Sequence, residues 1–114
     1  MSVKLNSRQV GNVSVIDVAG RITLGEGSAA LRETLRDMVA KNQNKILLNL
    51  ADVTYIDSSG IGELVSGFTT VTNTGGQLKL LNLNKRVKDL LQITKLYTVF
   101  EVFDDETAAV RSFG

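Results

Sequence analysis

Hydrophobic and polar residues alternate with two different periods along this 114-residue chain. Residues 1–9 and 13–19 follow a period of two, which places Val3 and Leu5 on one face of the first segment. This period is typical of β-strands, and the glycine-containing turn at residues 10–13 can join two of them. We therefore predict an antiparallel hairpin at the start of the chain.

Farther along, apolar residues at helical spacing alternate with short apolar runs. Helices are predicted over residues 28–40, from the serines at 58 and 59 to a glycine stop at 73–76, and after Asn84, a favourable capping residue. The apolar face of the third helix carries Val87, Leu90, Leu91 and Ile93. Strands are predicted over residues 46–50, 78–83 and 99–103, and the acidic residues 104–106 begin a short last helix.

This order of elements predicts an α/β fold. We expect one domain, residues 1–114, with a mixed sheet that is mostly parallel, an antiparallel N-terminal hairpin, and helices alternating along the chain. A glycine-bearing loop at residues 20–27 precedes the first helix. In this loop Thr23 and Glu26 have the spacing of a capping box, which predicts how that helix begins.

Composition restricts the chemistry that the chain can perform. Cysteine and histidine are absent, which removes thiolate metal sites, the commonest zinc ligand and the usual base that activates a serine nucleophile. The net charge is +1 and the basic residues are scattered, whereas nucleic-acid binding needs a strongly basic face. The basic cluster at residues 85–88 is interpreted as the solvated side of a helix. We expect no cofactor, no metal and no nucleic-acid partner.

The sequence also shows neither a membrane-span pattern nor a signal-peptide pattern. No apolar run approaches the length of a membrane span, and the first residues lack a basic stretch followed by an apolar core. We expect a cytoplasmic protein without direct membrane insertion.

The most informative segment is residues 55–64, where two adjacent serines lie at the predicted start of a helix. Unpaired N–H groups at such a start attract negative charge, so a phosphorylated hydroxyl is tolerated there. Gly60 and Gly62 weaken the first turn of the helix, which favours close approach of a partner. Ser58 and Ser59 also have a simpler interpretation as helix caps, and Asp57 can either close the turn or guide a phosphorylating partner.

Enzymatic alternatives have weaker support in the sequence. No lysine or carboxylate has a recognisable spacing to Ser58 as a catalytic base, and the phosphate-binding pattern G-x-x-x-x-G-K-[ST] is absent. A nucleotide-binding protein or enzyme is therefore the least favoured class, and we expect no catalytic activity.

The hexapeptide Asp57-Ser58-Ser59-Gly60-Ile61-Gly62 resembles the signature of the STAS family, the sulfate-transporter and anti-sigma-factor-antagonist domain. The likeness extends along nearly the whole chain, through residues 20–22, 46–50, 75–80, 87–91 and 94–96. One departure is Lys95, which stands where the family often has glycine. Lysine tolerates a left-handed backbone less well than glycine, so the geometry of this turn is in question.

The resemblance implies a bacterial anti-sigma factor antagonist. Ser58 would be the phosphoacceptor, the kinase would be an anti-sigma factor that uses ATP, and a phosphatase would reset the switch. The unphosphorylated form would hold the kinase and free the sigma factor. The expected partner surface comprises Asp57, Ser58, Ser59, Gly60, Ile61, Gly62, Thr23 and Leu24, since the loop before helix one should reach the same edge of the sheet.

A second function is compatible with the same resemblance. STAS domains also attach to transporters, so the chain could be a soluble accessory subunit of a membrane transport complex. In that case Ser58 would be only a helix cap.

Overall fold

A five-stranded sheet forms the centre of the computed structural model, which describes residues 3–114. Its strands are β1 (Val3–Val10), β2 (Val13–Ile22), β3 (Lys45–Ile56), β4 (Gln77–Leu81) and β5 (Val102–Phe103). The helices are α1 (Glu26–Ala40), α2 (Ser58–Asn73), α3 (Lys85–Ile93) and α4 (Glu106–Arg111). Met1 and Ser2, which the first predicted strand included, lie outside the described residues.

Strand order follows chain order, β1-β2-β3-β4-β5. β1 pairs with β2 in the antiparallel direction, and the three other neighbouring pairs are parallel. Parallel neighbours need crossover connections, which α1, α2 and α3 supply. The predicted mixed sheet with an antiparallel start is therefore confirmed.

The sheet separates two hydrophobic clusters. Ile16 and Leu48 belong to a large cluster beneath α1, α2 and α3, while their chain neighbours Val15 and Leu47 face a smaller cluster closed by α4. Successive residues of a strand point to opposite faces, so strands covered on both sides need continuous apolar sequence. This explains the nearly unbroken apolar run at residues 46–50 of β3.

The predicted start of the first helix is wrong. α1 begins at Glu26, and its N-cap is Gly25, with a φ of 96° and no side-chain cap. Thr23 contributes its carbonyl oxygen instead, which accepts hydrogen bonds from the backbone N–H and the hydroxyl of Ser28. The left-handed backbone of Gly25 makes the turn that the capping box was expected to make.

β3 is longer than the predicted strand at residues 46–50, because it continues to Ile56. Only residues 45–49 pair with β4, so the last part of β3 has a neighbour on one side only, β2. Ala51, Asp52 and Thr54 are exposed there. Val53 and Ile56 are buried, whereas the polar residues Asp52 and Thr54 are exposed, so the apolar run ends at Leu50 although the strand continues.

The C-terminal half contains two further corrections. β5 is limited to Val102–Phe103 and does not extend over residues 99–103. The side chain of Ile93, the last residue of α3, is 77% exposed and does not belong to the apolar face of that helix. Lys95 has a φ of 61°, the left-handed backbone that glycine usually supplies after a helix. The turn therefore keeps the glycine geometry despite the lysine.

Candidate functional site

The predicted site lies at the carboxyl edge of the sheet, where β3 passes into α2. Asp57 is the N-cap of α2 and has an extended backbone. Its Oδ1 accepts a hydrogen bond from the N–H of Gly60 at 2.9 Å, and its Oδ2 accepts one from the N–H of Leu24 at 3.2 Å. One carboxylate thus caps the helix and fastens the loop before α1 to it.

The electrostatics of Asp57 follow from these bonds. The N–H of Gly60, and to a smaller extent that of Leu24, stabilise the charged form and hold the pKa of this carboxyl below its usual value. Partial burial acts in the opposite direction but does not prevail. Asp57 therefore remains ionised at neutral pH.

The two serines are not needed as caps, because Asp57 has that role. Ser58 is exposed and Ser59 is half-buried. Within residues 3–114, neither hydroxyl makes a hydrogen bond. The interpretation of Ser58 or Ser59 as the N-cap is wrong, and the capping interpretation of Asp57 is confirmed. Ser58 instead presents a free hydroxyl in the first turn of a 16-residue helix.

Gly60 and Ile61 lie in the interior, so the expectation that they offer partner surface is not met. Ile61 is 3% exposed and belongs to the large cluster. Gly60 is buried, and a β-carbon there would lie 2.6 Å from Cγ1 of Ile56 and would overlap the carbonyl oxygen of Ile22. Only Gly62 is exposed, with open space where a side chain would be. Gly60 permits close packing of α2 on the strand ends, and Gly62 leaves the surface beside Ser58 open.

The loop before α1 reaches the same edge, as expected. Leu24 is the most exposed large apolar side chain of the described residues, at 79%, and its N–H is bonded to Asp57. Thr23 is half-buried beside it. The structure thus brings together Leu24, Thr23, Asp57, Ser58, Ser59 and Gly62, and places Gly60 and Ile61 beneath them.

Sequence reasoning missed a cationic cluster at this edge. The guanidinium carbon of Arg21 lies 4.8 Å from the ring centroid of Tyr55, and that of Arg86 lies 4.7 Å from the same centroid. Arg86 belongs to the basic cluster at residues 85–88, which was interpreted as the solvated side of a helix. Arg21 and Tyr55 both lie beyond the predicted strands at residues 13–19 and 46–50, so no sequence signal paired them, and the contact with Arg86 depends on the fold.

Residues 3–114 contain no group of three or more metal-ligating side chains arranged around a common point. Among the same residues, no helix combines the length and the apolar character needed to cross a membrane.

The sequence of this chain is similar to those of known proteins. The model of the family described as STAS domain matches residues 4–109. An anti-sigma-B factor antagonist of Bacillus subtilis is 32% identical over 102 residues, which cover 90% of this chain and 92% of that relative.

Solved structures share the fold at lower identity. An anti-sigma factor antagonist from Mycobacterium paratuberculosis superposes with a TM-score of 0.83 at 18% identity, covering 98% of this chain and 94% of its own. The Bacillus cell fate determinant SpoIIAA, solved in its phosphorylated form, superposes with a TM-score of 0.75 at 18% identity, covering 96% and 98%.

Proposed function

Because this chain belongs to the STAS domain family, we propose that it is an anti-sigma factor antagonist, a regulator that acts by exchanging partners and not by catalysis. In the unphosphorylated state it holds an anti-sigma factor that has serine-kinase activity. Phosphorylation on Ser58 releases that partner, and a phosphatase resets the switch.

The observation that carries the proposal is the free hydroxyl of Ser58. It is exposed and it is not used to cap α2. It directly follows Asp57, which is bonded to the N–H of the exposed Leu24, and it lies one helical turn before the open surface at Gly62. A kinase can reach such a hydroxyl without unfolding the helix. The name of the Bacillus subtilis relative and the phosphorylated form of SpoIIAA support the same function.

The chemical step is a phosphoryl transfer from ATP. The oxygen of the Ser58 hydroxyl attacks the γ-phosphorus, the bond to the β-phosphate oxygen breaks, ADP leaves, and the hydroxyl proton passes to a base of the kinase. Phosphorylation adds about −1.5 to −2 charges at neutral pH. The positive end of the α2 dipole offsets part of this charge, so the fold tolerates the modification.

Release of the partner follows from the new charge at the interface. In the complex, groups of the partner pack against a small neutral hydroxyl. A phosphate dianion on Ser58 must lose its hydration or face groups of like charge, which costs several kcal/mol. Every ~1.4 kcal/mol corresponds to a tenfold change in affinity.

Phosphate mapping tests the acceptor. The chain is incubated with ATP, Mg²⁺ and the ATP-binding anti-sigma factor of the same organism, and the modified residue is located by mass spectrometry. We expect a single phosphate on Ser58, none on Ser58→Ala, and normal modification of the control Ser59→Ala. Full modification of Ser58→Ala would overturn the assignment.

A binding measurement tests the switch. Ser58→Asp places a permanent negative charge at the acceptor and should weaken binding of the same anti-sigma factor by at least about tenfold. Ser66→Asp is a matched control, because Ser66 is also exposed on α2 but lies two turns farther along the helix. Equal binding by wild type and Ser58→Asp would contradict the mechanism. Co-purification with a membrane ATPase in place of an anti-sigma factor would favour the accessory-subunit function.

A further inference from the structure

Two arginines stack on one tyrosine next to the candidate site. Tyr55 lies at the end of β3, three residues before Ser58, and the guanidinium groups of Arg21 and Arg86 lie 4.8 Å and 4.7 Å from its ring centroid. Arg21 and Arg86 are exposed and Tyr55 is half-buried. We call these three residues the arginine–tyrosine cluster.

The sheet and the start of α3 build this cluster from three separate parts of the chain. Arg21 and Tyr55 are register partners in the parallel pair of β2 and β3. Asn84, the N-cap of α3, donates a side-chain hydrogen bond of 2.6 Å to the carbonyl oxygen of Val53, which fixes the start of α3 against the end of β3. Arg86, in the first turn of α3, is thereby held over the ring.

The cluster is positively charged without internal compensation. Within residues 3–114, neither Arg21 nor Arg86 makes an ion pair or a hydrogen bond through its guanidinium group. The first turn of α3 contains no acidic residue. Cations in that position oppose the helix dipole, so Arg86 weakens the helix that carries it. Residues that lower the stability of the helix they belong to are typical of functional surfaces.

Stacking also prepares the guanidinium groups for binding. An arginine held against an aromatic ring loses part of its side-chain freedom before any ligand arrives, while its planar N–H fork still points to solvent. Such a fork binds a carboxylate through two parallel hydrogen bonds. Two guanidinium groups on one ring can therefore bind two closely spaced carboxylates.

The cluster and the phosphoacceptor belong to one surface. The N–H of Asp57 donates to the carbonyl oxygen of Ile22, which joins the end of β2 to the start of α2. Three residues of extended chain span at most about 11 Å between Tyr55 and Ser58, which is little more than the Debye length of about 8 Å at physiological salt. Charges at the two positions therefore influence each other.

We propose that the arginine–tyrosine cluster binds an acidic segment of the partner protein that docks over Ser58. This inference rests on the proposed function and adds the chemistry of the partner surface. A phosphate on Ser58 then acts in two ways, because it repels the docked acidic segment and competes with it for the arginines. Nucleic acid is a poorer fit, since two stacked arginines do not form an extended basic face.

The test compares two variants with the same loss of charge. Arg21→Gln/Arg86→Gln removes the cluster charges, and Arg36→Gln/Arg111→Gln removes two exposed charges of α1 and α4. Binding of the purified anti-sigma factor used above is measured by calorimetry over a range of salt concentrations. We expect the cluster variant to bind about tenfold more weakly with a smaller salt dependence, and the control within about twofold of wild type.

A double-mutant cycle tests the coupling to Ser58. Ser58→Asp should reduce affinity less in the Arg21→Gln/Arg86→Gln background than in wild type, because the acidic segment is no longer held there. Tyr55→Leu should reduce affinity, since it removes the ring on which both guanidinium groups stack. Thermal melting of each variant checks that the fold is intact.

The outcomes separate this inference from the proposed function. If Ser58→Asp abolishes binding while the cluster variant binds as tightly as its control, the acidic-segment proposal is overturned and the switch stands. If the anti-sigma factor does not bind the wild-type chain at all, both proposals are overturned. Binding of a short DNA duplex that requires the same arginines would also overturn the assignment to an acidic protein segment.

Discussion

At the scale of single residues, Asp57 performs the task that the serines were expected to perform. Its two carboxylate oxygens accept hydrogen bonds from the N–H groups of Gly60 and Leu24. A serine hydroxyl offers only one oxygen, whereas the carboxylate caps α2 and fixes the preceding loop at the same time. Ser58 is thereby left free for other chemistry.

Asp57→Ala is expected to lower the free energy of unfolding by about 1 kcal/mol, because both N–H groups lose their acceptor. Asp57→Asn keeps an acceptor oxygen and should cost less. Urea denaturation at neutral pH measures both. The control Ser58→Ala should change the free energy by less than about 0.5 kcal/mol, and a loss equal to that of Asp57→Ala would contradict the capping assignment.

At the scale of elements, glycines set how closely the helices approach the sheet. Gly60 lies against Ile22 and Ile56, and Gly27 of α1 lies against the backbone of Arg21, where a β-carbon would come within 2.7 Å of the carbonyl oxygen. The starts of α1 and α2 therefore pack directly on the end of β2. This close packing keeps the loop with Leu24 beside Ser58.

Gly60→Ala and Gly62→Ala form a matched pair of substitutions two residues apart. Gly60→Ala should destabilise the fold by about 2 kcal/mol or more, because the new methyl group overlaps backbone and buried side chains. Gly62→Ala should stabilise it by up to about 1 kcal/mol, because the site is open and alanine favours helix. Thermal or urea unfolding distinguishes the two, and similar effects at both positions would contradict the packing described here.

At the scale of the whole molecule, Arg8 links the first strand to the last helix on the face of the sheet that α4 covers. Its guanidinium group binds Asp17 of β2 at 2.7 Å and Glu106 of α4 at 2.6 Å. Lys79, 6% exposed, holds the end of α4 from the same face through hydrogen bonds to the carbonyl oxygen and hydroxyl of Ser112. The smaller core cluster is closed by these polar contacts.

The Arg8 contacts predict a pH dependence of stability. Arg8 lowers the pKa of both Asp17 and Glu106 in the folded state. The contribution of these two carboxylates to folding stability is therefore fully present above the ordinary carboxyl pKa. It is lost as the pH falls through the lowered pKa values of the folded state. Arg8→Met should cost about 1 kcal/mol at pH 7, a modest value because the partners are more than a third exposed, and progressively less as the pH falls through the lowered pKa values of the two carboxyls.

Urea denaturation of wild type and Arg8→Met across this pH range measures the effect. Arg36→Met is the control, since it removes the same charge from an exposed site without an ion pair in the described residues. A loss of stability in Arg8→Met that is the same at neutral and acidic pH would contradict the ion-pair explanation.

Much of this architecture was accessible from the residues alone. The two periods of the apolar pattern predicted the hairpin, the alternation of strands and helices, and the mostly parallel sheet, because a buried face imposes its period on a contiguous segment. The pattern failed in the second half of β3 and at Ile93, where a strand or a helix lies partly outside the core and burial no longer dictates the residue type.

The sequence by itself determined where the candidate phosphoacceptor lies and which family motif surrounds it, because helix starts and motif spacing are local properties of the chain. Tertiary structure decided the rest. The bond from Leu24 to Asp57, the inward position of Gly60 against Ile22, and the contact of Arg21 and Arg86 with Tyr55 all depend on strand register and helix packing. These contacts join residues far apart in the chain, so no local pattern encodes them.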